Sequence, residues 1–550
     1  MTAGGYFGQA LVADAGTGTA RTLPLPDDVL RAYIGGAGLG TWLLHRLAPA
    51  GTGPLAPAAP LAFVFSPLVG TPLTTSAKFA VVAKSPLTGL LNDALSSSQF
   101  AIAGKLTGHD AIVVTGACDR LSVLLVDGDG ARFQEAADLA GLPAAQAEAR
   151  LRDRLGTGWR VAAAGPAGER GVLYATISHD GRHAGRGGLG AVMGAKRLKA
   201  VAVRAATKVA PAHPDLVLAA ARDLRARSFG PATAKYRELG TLANLLAFNA
   251  LSTLPTRNFQ AATFTDAPRL AAEDLASMRR VARNSCASCT IGCEHIYRAK
   301  GGRQTRVEYE NVFALGPMCA VSDPDALLRA ITEIGAREGL GDLLAEGSRL
   351  AAERVGQGSP AFAPHVKGLE MPGYEPRTLH AMALGLAVNA RGADHNRSGA
   401  YEADLSGELD RLDGGLAHVA AAIETEDRAA VMDSLILCKF LRGVFTDPFQ
   451  EWASLLSSVT GWEVDGPELR RTARRIVLAK RVFNLREGWR PDDDWLPERL
   501  LAEPVRLGSG REAGLTPERL RTMIDAYYAA RGLDEQGRPD EAQLTDLRLS

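Results

Sequence analysis

The stretch Cys286-Ala-Ser-Cys289-Thr-Ile-Gly-Cys293 places three thiols within eight residues near the middle of the chain. Thiolates at this spacing on a tight turn can converge on one metal centre. Structural zinc usually takes two separated pairs of ligands, whereas a [4Fe–4S] cluster takes four cysteine thiolates. The spacing therefore favours an iron–sulfur cluster over zinc, and it favours either metal over a chance grouping of cysteines.

The fourth ligand of such a cluster has to come from one of three other cysteines. Cys118 follows the apolar run 111–114 and is typical of a small buried residue. Cys319 lies in a glycine- and proline-containing turn that can approach the cluster, and Cys438 is the strongest candidate. The alternatives stay open at this level.

Length and net charge limit the classes of protein to which the chain can belong. The 550 residues suffice for several domains, and 62 Lys and Arg against 61 Asp and Glu give a net charge of +1. Such a balance lacks the basic excess that binding to nucleic acid needs. We expect neither a secretory signal nor a membrane helix, and six cysteines favour a reducing cytoplasm over a disulfide scaffold.

Hydrophobic periodicity changes about a third of the way along the chain, which predicts an α+β fold. Short apolar runs predict strands at residues 61–65, 79–83, 111–114, 121–126 and 200–203. Apolar residues at three- and four-residue intervals predict helices at 215–227, 323–337, 340–355 and 428–440. The prediction is a β-rich domain at 1–206 and two mainly helical domains at 207–380, with the cysteine motif, and 381–550.

A glycine-rich segment at residues 185–196 is the second distinctive feature. Glycines at this density let the backbone approach a ligand closely and present N–H groups to a phosphate. Taken alone, the segment is slightly more typical of an ordinary glycine loop, and its glycine spacing does not match a dinucleotide fingerprint.

The motifs, in their order along the chain, resemble the aldehyde ferredoxin oxidoreductase family of tungsten and molybdenum enzymes. The resemblance covers about residues 5–490 and rests on the segments 33–40, 85–89, 185–196, 256–260, 286–293, 392–395 and 433–440. It implies a β-rich N-terminal domain that supports a tungsten or molybdenum bis-pyranopterin, followed by two helical domains, with a [4Fe–4S] cluster beside the pterin.

The resemblance also assigns residues to both cofactors. It implies cluster ligation by Cys286, Cys289, Cys293 and Cys438. It implies pterin contacts from Lys78, Asp93, Arg186, Gly187, Gly188, Leu189, Gly190, Asp433 and Leu437.

The activity implied by the resemblance is oxidation of an aldehyde to a carboxylate, or a related two-electron reaction. Electrons would leave through the cluster to ferredoxin or another low-potential carrier, and a homodimer is compatible with the resemblance. Either Glu308 or Glu310 would handle the proton of a water or hydrate, with Glu310 preferred, and His395 would donate to the substrate oxygen.

Four departures from the family pattern fall on the pterin side. Lys78 stands where the family has arginine, Leu95 where it has a polar residue, and Ile436 where it has glycine. The family pattern also predicts that a helical stretch is missing between Ala330 and Ile331. These differences support an alternative, a cluster-only electron-transfer or scaffold protein without the pterin metal; a zinc-stabilised interaction protein is the third hypothesis.

Overall fold

The computed structural model describes residues 2–97, 99–298, 302–319 and 321–549, and for residues 276–278 it describes the backbone only. The first 204 residues hold two six-stranded sheets, and most of the remaining chain is helical. The predicted α+β class is therefore confirmed.

The first sheet carries one end of the site. Its strands lie in the spatial order Thr19–Pro24, Gln9–Asp14, Ala111–Thr115, Leu61–Val64, Lys78–Lys84 and Leu91–Ser97. Only the pair of Gln9–Asp14 with Ala111–Thr115 is parallel among these neighbours. In the last hairpin Lys78 is paired with Ser97, so both residues lie at the same end of the sheet.

The second sheet carries the glycine-rich segment. Its spatial order is Arg182–Ala184, Ile177–His179, Trp159–Ala164, Leu198–Arg204, Ser122–Asp127 and Gly130–Glu135. The helix Leu189–Ala195 follows the glycines and leads into the strand Leu198–Arg204. Further helices of this half are Asp27–Tyr33, Gly36–Leu47, Gln99–Lys105, Ala144–Leu155 and Pro166–Glu169.

The second half is built from many helices of differing length. The longer ones are Pro214–Ser228, Pro324–Ala336, Gly347–Val355, His380–Val388, Leu416–Leu435, Pro448–Thr460, Gly466–Arg486 and Pro517–Arg531. Shorter ones are Ala234–Leu239, Leu245–Ala250, Ala267–Leu270, Ala272–Arg279, Tyr309–Phe313, Leu340–Leu344, His395–Ser398, Tyr401–Asp404, Glu498–Ala502 and Glu541–Asp546. In the part of the chain that the structure describes, none has the length and hydrophobicity needed to cross a bilayer.

The cysteine motif lies between strands, which corrects the expectation that helices frame it. A three-stranded antiparallel sheet is formed by Arg280–Asn284, Glu294–Arg298 and Gln304–Val307. The motif is the connection between the first two strands. The strand Arg280–Asn284 is exposed at all five positions, so it has no apolar period in the sequence.

All five predicted strands are present within two residues of their predicted ends, and so are the first two helices. The predicted helix 340–355 is divided into two helices, Leu340–Leu344 and Gly347–Val355. Gly347, at the start of the second, has a φ of +83°, which interrupts a continuous helix. The predicted helix 428–440 is wrong at its end: the observed helix stops at Leu435 because Ile436 takes a left-handed conformation with φ +68°. Residues 436–438 consequently leave the helix axis.

The helix Gly36–Leu47 joins the two halves of the molecule. A Cβ atom added to Gly36 would lie 2.2 Å from the carbonyl oxygen of Asp433, and one added to Gly38 would lie 2.8 Å from Ser434 Oγ. Since real Cβ atoms do not approach so closely, these glycines allow the helix to contact the end of Leu416–Leu435. The glycine motif near the N-terminus thus positions the segment that leads to Cys438.

Buried histidines give the fold a testable dependence on pH. Burial, with a smaller effect of His418, lowers the pKa of His380 to about 4, whereas an unfolded histidine titrates near 6.5. Between these values the unfolded chain binds a proton that the folded chain does not, so stability falls as the pH is lowered. We expect wild type to lose about 2 kcal/mol more than His380→Leu between pH 6.5 and 4.5.

Urea unfolding at the two pH values measures this difference. The exposed His213, replaced by glutamine, is the matched control and is expected to follow wild type. An equal acid loss in wild type and His380→Leu would show that His380 does not stay neutral in the folded protein.

Candidate cluster and cofactor site

The cysteine loop is a tight turn fixed against the N-terminal half. The Cys289 N–H donates to the Cys286 carbonyl at 3.2 Å, and Ser288 takes a left-handed φ of +54°. The Thr75 N–H donates to the Ser288 carbonyl at 2.9 Å, and the Thr290 N–H donates to Thr74 Oγ1 at 3.1 Å. The thiols therefore face the end of the first sheet.

Lys78 lies among the four predicted cluster ligands. Burial by itself lowers the pKa of its ammonium group, but the charges of Cys438, Cys286, Cys293 and Cys289 outweigh it, and the pKa is raised. The left-handed turn at Ile436 thus places Cys438 near the three clustered cysteines of residues 286–293. Of the two other cysteines, Cys118 is buried and Cys319 is exposed, and neither is among the main charges acting on Lys78.

The surroundings of the thiols suit bound thiolates. Ser97 Oγ donates to Cys286 Sγ at 3.0 Å, and the Ile291 N–H donates to Cys289 Sγ at 3.4 Å. Burial and then Cys438 raise the pKa of Cys289 to about 11, and they raise the pKa of Cys293 further. Desolvated thiols such as Cys289 and Cys293 lose their protons readily only to a cationic centre.

The donor set of the site is four cysteine thiols. A [4Fe–4S] cluster takes four cysteine thiolates, one at each iron. Structural zinc usually takes its ligands as two separated pairs. Three clustered cysteines and one remote cysteine therefore fit the cluster better than zinc.

A network of ion pairs lies next to the thiols. Arg397 bridges two buried carboxylates, at 2.9 Å from Asp93 Oδ1 and 3.1 Å from Asp433 Oδ2. Lys480 pairs with Asp93 at 2.8 Å, and Lys439 pairs with Asp433 at 2.9 Å. Burial would raise the pKa of Asp93, yet Arg397 and Lys480 bring it well below the usual range. The network joins the first sheet to the turn that carries Cys438.

Cations outnumber anions around this network. The cations are Arg186, Arg391, Arg397 and Lys480, and the carboxylates are Asp93, Asp394 and Asp433. Burial lowers the pKa of Lys439 to about 7, so this lysine adds part of a charge. Among the described residues, Arg391 Nε and His395 Nδ1 are buried without a hydrogen-bond partner. An excess of positive charge with unpaired buried polar atoms fits an anionic group, as the phosphates and dithiolenes of a bis-pyranopterin are.

The glycine-rich segment makes its close approaches to protein atoms. A Cβ atom added to Gly187 would lie 2.1 Å from Asn92 Oδ1, and one added to Gly188 would lie 1.9 Å from the Leu173 carbonyl oxygen. Leu189 is fully buried, and the Gly190 N–H donates to the Ala175 carbonyl at 2.8 Å. These contacts explain the glycines structurally, and pterin contacts from residues 187–190 stay a prediction.

Arg186 is held so that its charge acts on several site residues. Its guanidinium group donates to the Ala393 carbonyl at 2.7 Å and to the Glu370 carbonyl. It lowers the pKa of both Glu310 and His395, although it is not the largest influence on either. The predicted catalytic side chains therefore lie in the field of one arginine.

Glu310 is exposed to solvent but partly desolvated. Its side chain is accessible, yet neighbouring protein atoms raise the pKa of its carboxyl, and Glu308 raises it further. Glu308 has a more ordinary environment, since it is half-buried and lies 3.4 Å from Arg306.

His395 is held as a neutral imidazole. Burial lowers its pKa to about 4; Asp394 opposes this shift, while Arg186 and Arg442 add to it. The Tyr374 ring lies 4.9 Å from the imidazole, centroid to centroid. The histidine is therefore both fixed in orientation and unprotonated near neutral pH.

Two of the departures from the family pattern are accommodated by packing. The Ile436 side chain is fully buried against Gly36, where a Cβ atom would lie 2.6 Å from Ile436 Cδ1. Leu95 is partly buried against the main hydrophobic core. Leu437 is also buried, and its N–H donates to the Met432 carbonyl at 2.9 Å, so a role at the pterin stays a prediction.

Several residues of the site were not predicted. Ser97, Arg391, Arg397 and Lys480 bind the cysteine or carboxylate groups directly. Arg391 and Arg397 flank the motif 392–395, so their proximity to a recognised segment was an available signal. Ser97 and Lys480 had none, because only the folded chain brings them to the site.

Comparisons with known proteins agree with this geometry. The family model for the N-terminal domain of aldehyde ferredoxin oxidoreductase matches residues 10–205, and that for domains 2 and 3 matches 219–332 and 320–549. The tungsten-containing aldehyde ferredoxin oxidoreductases of Pyrococcus furiosus and Thermococcus kodakarensis are each 30% identical over 610 positions, covering 99% of both chains.

A solved structure shows the same fold at lower identity. It is titled as the active site complex BamBC of benzoyl coenzyme A reductase with 1,5-dienoyl-CoA. It matches with a TM-score of 0.82 and 20% identity, over 100% of this chain and 97% of that one. With both family models matched and both halves of the site in place, the chain is an oxidoreductase that belongs to the aldehyde ferredoxin oxidoreductase family.

Proposed function

We propose that the protein is a tungsten- or molybdenum-pterin oxidoreductase that oxidises an aldehyde to a carboxylate. Electrons leave through a [4Fe–4S] cluster to ferredoxin or another low-potential carrier. The observation that carries the proposal is the gathering of four cysteines around Lys78, directly beside the Asp93–Arg397–Asp433 network. Full-length similarity to tungsten-containing aldehyde ferredoxin oxidoreductases supports it.

The pterin would be held mainly by charge. Arg186, Arg397, Lys439 and Lys480 supply cations for its anionic groups, and Asp93 and Asp433 accept from its N–H groups. When bound, the pterin metal supplies the Lewis acid and the two-electron acceptor. The reaction balances as aldehyde plus water giving carboxylate, two electrons and three protons.

Glu310 is proposed to take the proton from the attacking water or hydrate. Its desolvated position raises the pKa of the carboxyl, and a carboxylate with a raised pKa is a stronger base nearer neutral pH. Glu308 is paired with Arg306 and is the weaker choice.

His395 is proposed to donate a hydrogen bond to the substrate oxygen. A neutral imidazole has one N–H, which can stabilise negative charge that develops on that oxygen without itself losing a proton. The neighbouring Tyr374 ring fixes the direction of this donor.

Lys78 and Ser97 are proposed to serve the electron exit. Lys78 contributes a positive charge among the cysteines, and Ser97 donates a hydrogen bond to Cys286. Both interactions stabilise extra negative charge on the cluster, and so favour its reduced state. We further propose the domain bounds 1–206, 207–380 and 381–550.

An anaerobic assay with short- and medium-chain aldehydes and benzyl viologen tests the proposal. We expect reduction of the dye that depends on the aldehyde, with two dye molecules reduced for each carboxylate formed. Protein with full iron and tungsten or molybdenum content that reduces no dye with any aldehyde would refute the aldehyde substrate.

The cluster-only alternative has no observation in its favour. The predicted pterin residues Asp93 and Asp433 are joined through Arg397, and Ile436 is accommodated against Gly36. The 610 aligned positions against 550 residues do show that the relatives have at least 60 positions without a counterpart here.

A further inference from the structure

The positive charge of the chain is concentrated around the cysteine motif. By sequence, residues 279–306 contain six arginines and one lysine against one glutamate, a formal net charge of +6. The whole chain has a net charge of +1, so the remaining residues together are negative. Three of the four cluster cysteines lie inside this basic segment.

Five arginines of the segment are exposed and form what we call the arginine surface: Arg279, Arg280, Arg283, Arg298 and Arg303. In the part of the chain that the structure describes, no carboxylate forms an ion pair with any of them. The one acid of the segment, Glu294, is instead paired with Arg182 and Arg306. Glu273 and Asp274 lie near this surface, but within the described residues they form no ion pair with its arginines.

A β-bulge and a helix end fix two of these arginines. The register shifts between Arg280 and Ala282, which places Arg280 opposite Tyr297 and Arg283 opposite His295, on one face of the sheet. Arg280 donates to the Glu238 carbonyl at 2.7 Å, in the last turn of Ala234–Leu239. The guanidinium groups are thus positioned by carbonyl groups, which leave their charge intact.

The cysteine loop opens onto the same surface. The strand Arg280–Asn284 is exposed at every position and runs directly into the loop. The Ser285 and Ser288 residues are exposed, while the Ser288 carbonyl and the Thr290 N–H fix the loop to Thr75 and Thr74. The cluster ligands consequently lie between the N-terminal half and the arginine surface.

We propose that the arginine surface docks an acidic electron-carrier protein. This inference rests on the proposed function only in that electrons leave through the cluster. Complementary charge steers such a partner to the exit and raises the association rate at low salt. A docking of this kind is brief and salt-sensitive. Each encounter oxidises the cluster and reduces the carrier by one electron, so two carriers serve each substrate.

Charge reversal tests the docking. Arg279 and Arg298 are exposed, and the structure shows neither in an ion pair, so the double variant Arg279→Glu with Arg298→Glu removes docking charge with little structural cost. The single variant Arg303→Glu is a second probe. Arg21→Glu with Arg511→Glu makes the same change of net charge at exposed positions elsewhere and is the matched control.

The test measures electron transfer to the carrier without any aldehyde. Dithionite-reduced, desalted protein is mixed with an oxidised small acidic ferredoxin in a stopped-flow instrument at low ionic strength. We expect the second-order rate constant to fall about tenfold or more in the double variant, within the 10–10³ range of electrostatic steering. The control pair is expected to stay near wild type, and added salt to remove the difference.

Other outcomes would overturn the inference. Equal rate constants for the double variant and the control pair, at matched iron content, would show that the carrier docks elsewhere. Self-association or binding of a DNA oligonucleotide that is lost in the double variant, with an unchanged ferredoxin rate, would assign the surface to another partner. Because no aldehyde is present, failure of the proposed substrate leaves this test intact.

Discussion

Replacing Glu310 with glutamine is expected to lower kcat with an aldehyde by about 10²–10⁴-fold, the usual contribution of a positioned general base. The amide keeps the size of the side chain but cannot accept the proton. Because burial raises the pKa of Glu310, wild-type activity should rise with pH through that raised pKa. The variant should lose this acidic limb of the profile.

Glu308→Gln is the matched control for this change. Glu308 lies two residues away, is paired with Arg306, and is expected to keep kcat close to wild type. Steady-state viologen reduction across pH, at equal metal content, measures both variants. A larger loss in Glu308→Gln than in Glu310→Gln would reverse the assignment, and small losses in both would remove a carboxylate base from the mechanism.

Replacing Cys438 with alanine is expected to abolish the cluster or leave it unstable. The remaining three cysteines can hold at most three of the four irons, and aldehyde-dependent dye reduction should fall by at least about a hundredfold, since even outer-shell partners of metal sites contribute about 10–100-fold. Iron analysis and the EPR spectrum of the reduced protein measure the loss directly.

Cys319→Ala separates this effect from the general loss of a thiol. Cys319 is exposed and is not among the main charges acting on Lys78, so its variant should retain wild-type iron, EPR signal and dye reduction. A Cys438→Ala protein with a full, stable [4Fe–4S] signal would show that the fourth ligand lies elsewhere. Loss of iron in Cys319→Ala would identify Cys319 as the fourth ligand.

The sequence predicted the parts of this protein that depend on local spacing. The Cys286–Cys293 motif, the apolar runs of the two sheets and the family resemblance gave the fold class. The resemblance also gave the cluster cysteines and the cofactor residues as expectations. Asp433 and Cys438 could be placed near the site because both stand in one short motif, and the structure brings that motif to Lys78.

The remaining features depend on contacts between distant segments. Arg397 and Asp93 are 304 positions apart in the sequence, and Lys480 and Asp93 are 387 positions apart. No local sequence pattern can therefore predict either ion pair. The sequence did not predict the left-handed turn at Ile436, because β-branched residues seldom adopt a positive φ. Buried packing against Gly36 stabilises that turn, and packing of this kind is visible only in the folded chain.

Metal and pterin analysis of anaerobically purified protein tests the central claim most directly. The account predicts about four irons and about one tungsten or molybdenum per chain, with pterin released on denaturation. Cells must be grown with both metals supplied. Four irons without tungsten, molybdenum or pterin would contradict the proposed oxidoreductase and leave a protein that holds the cluster alone.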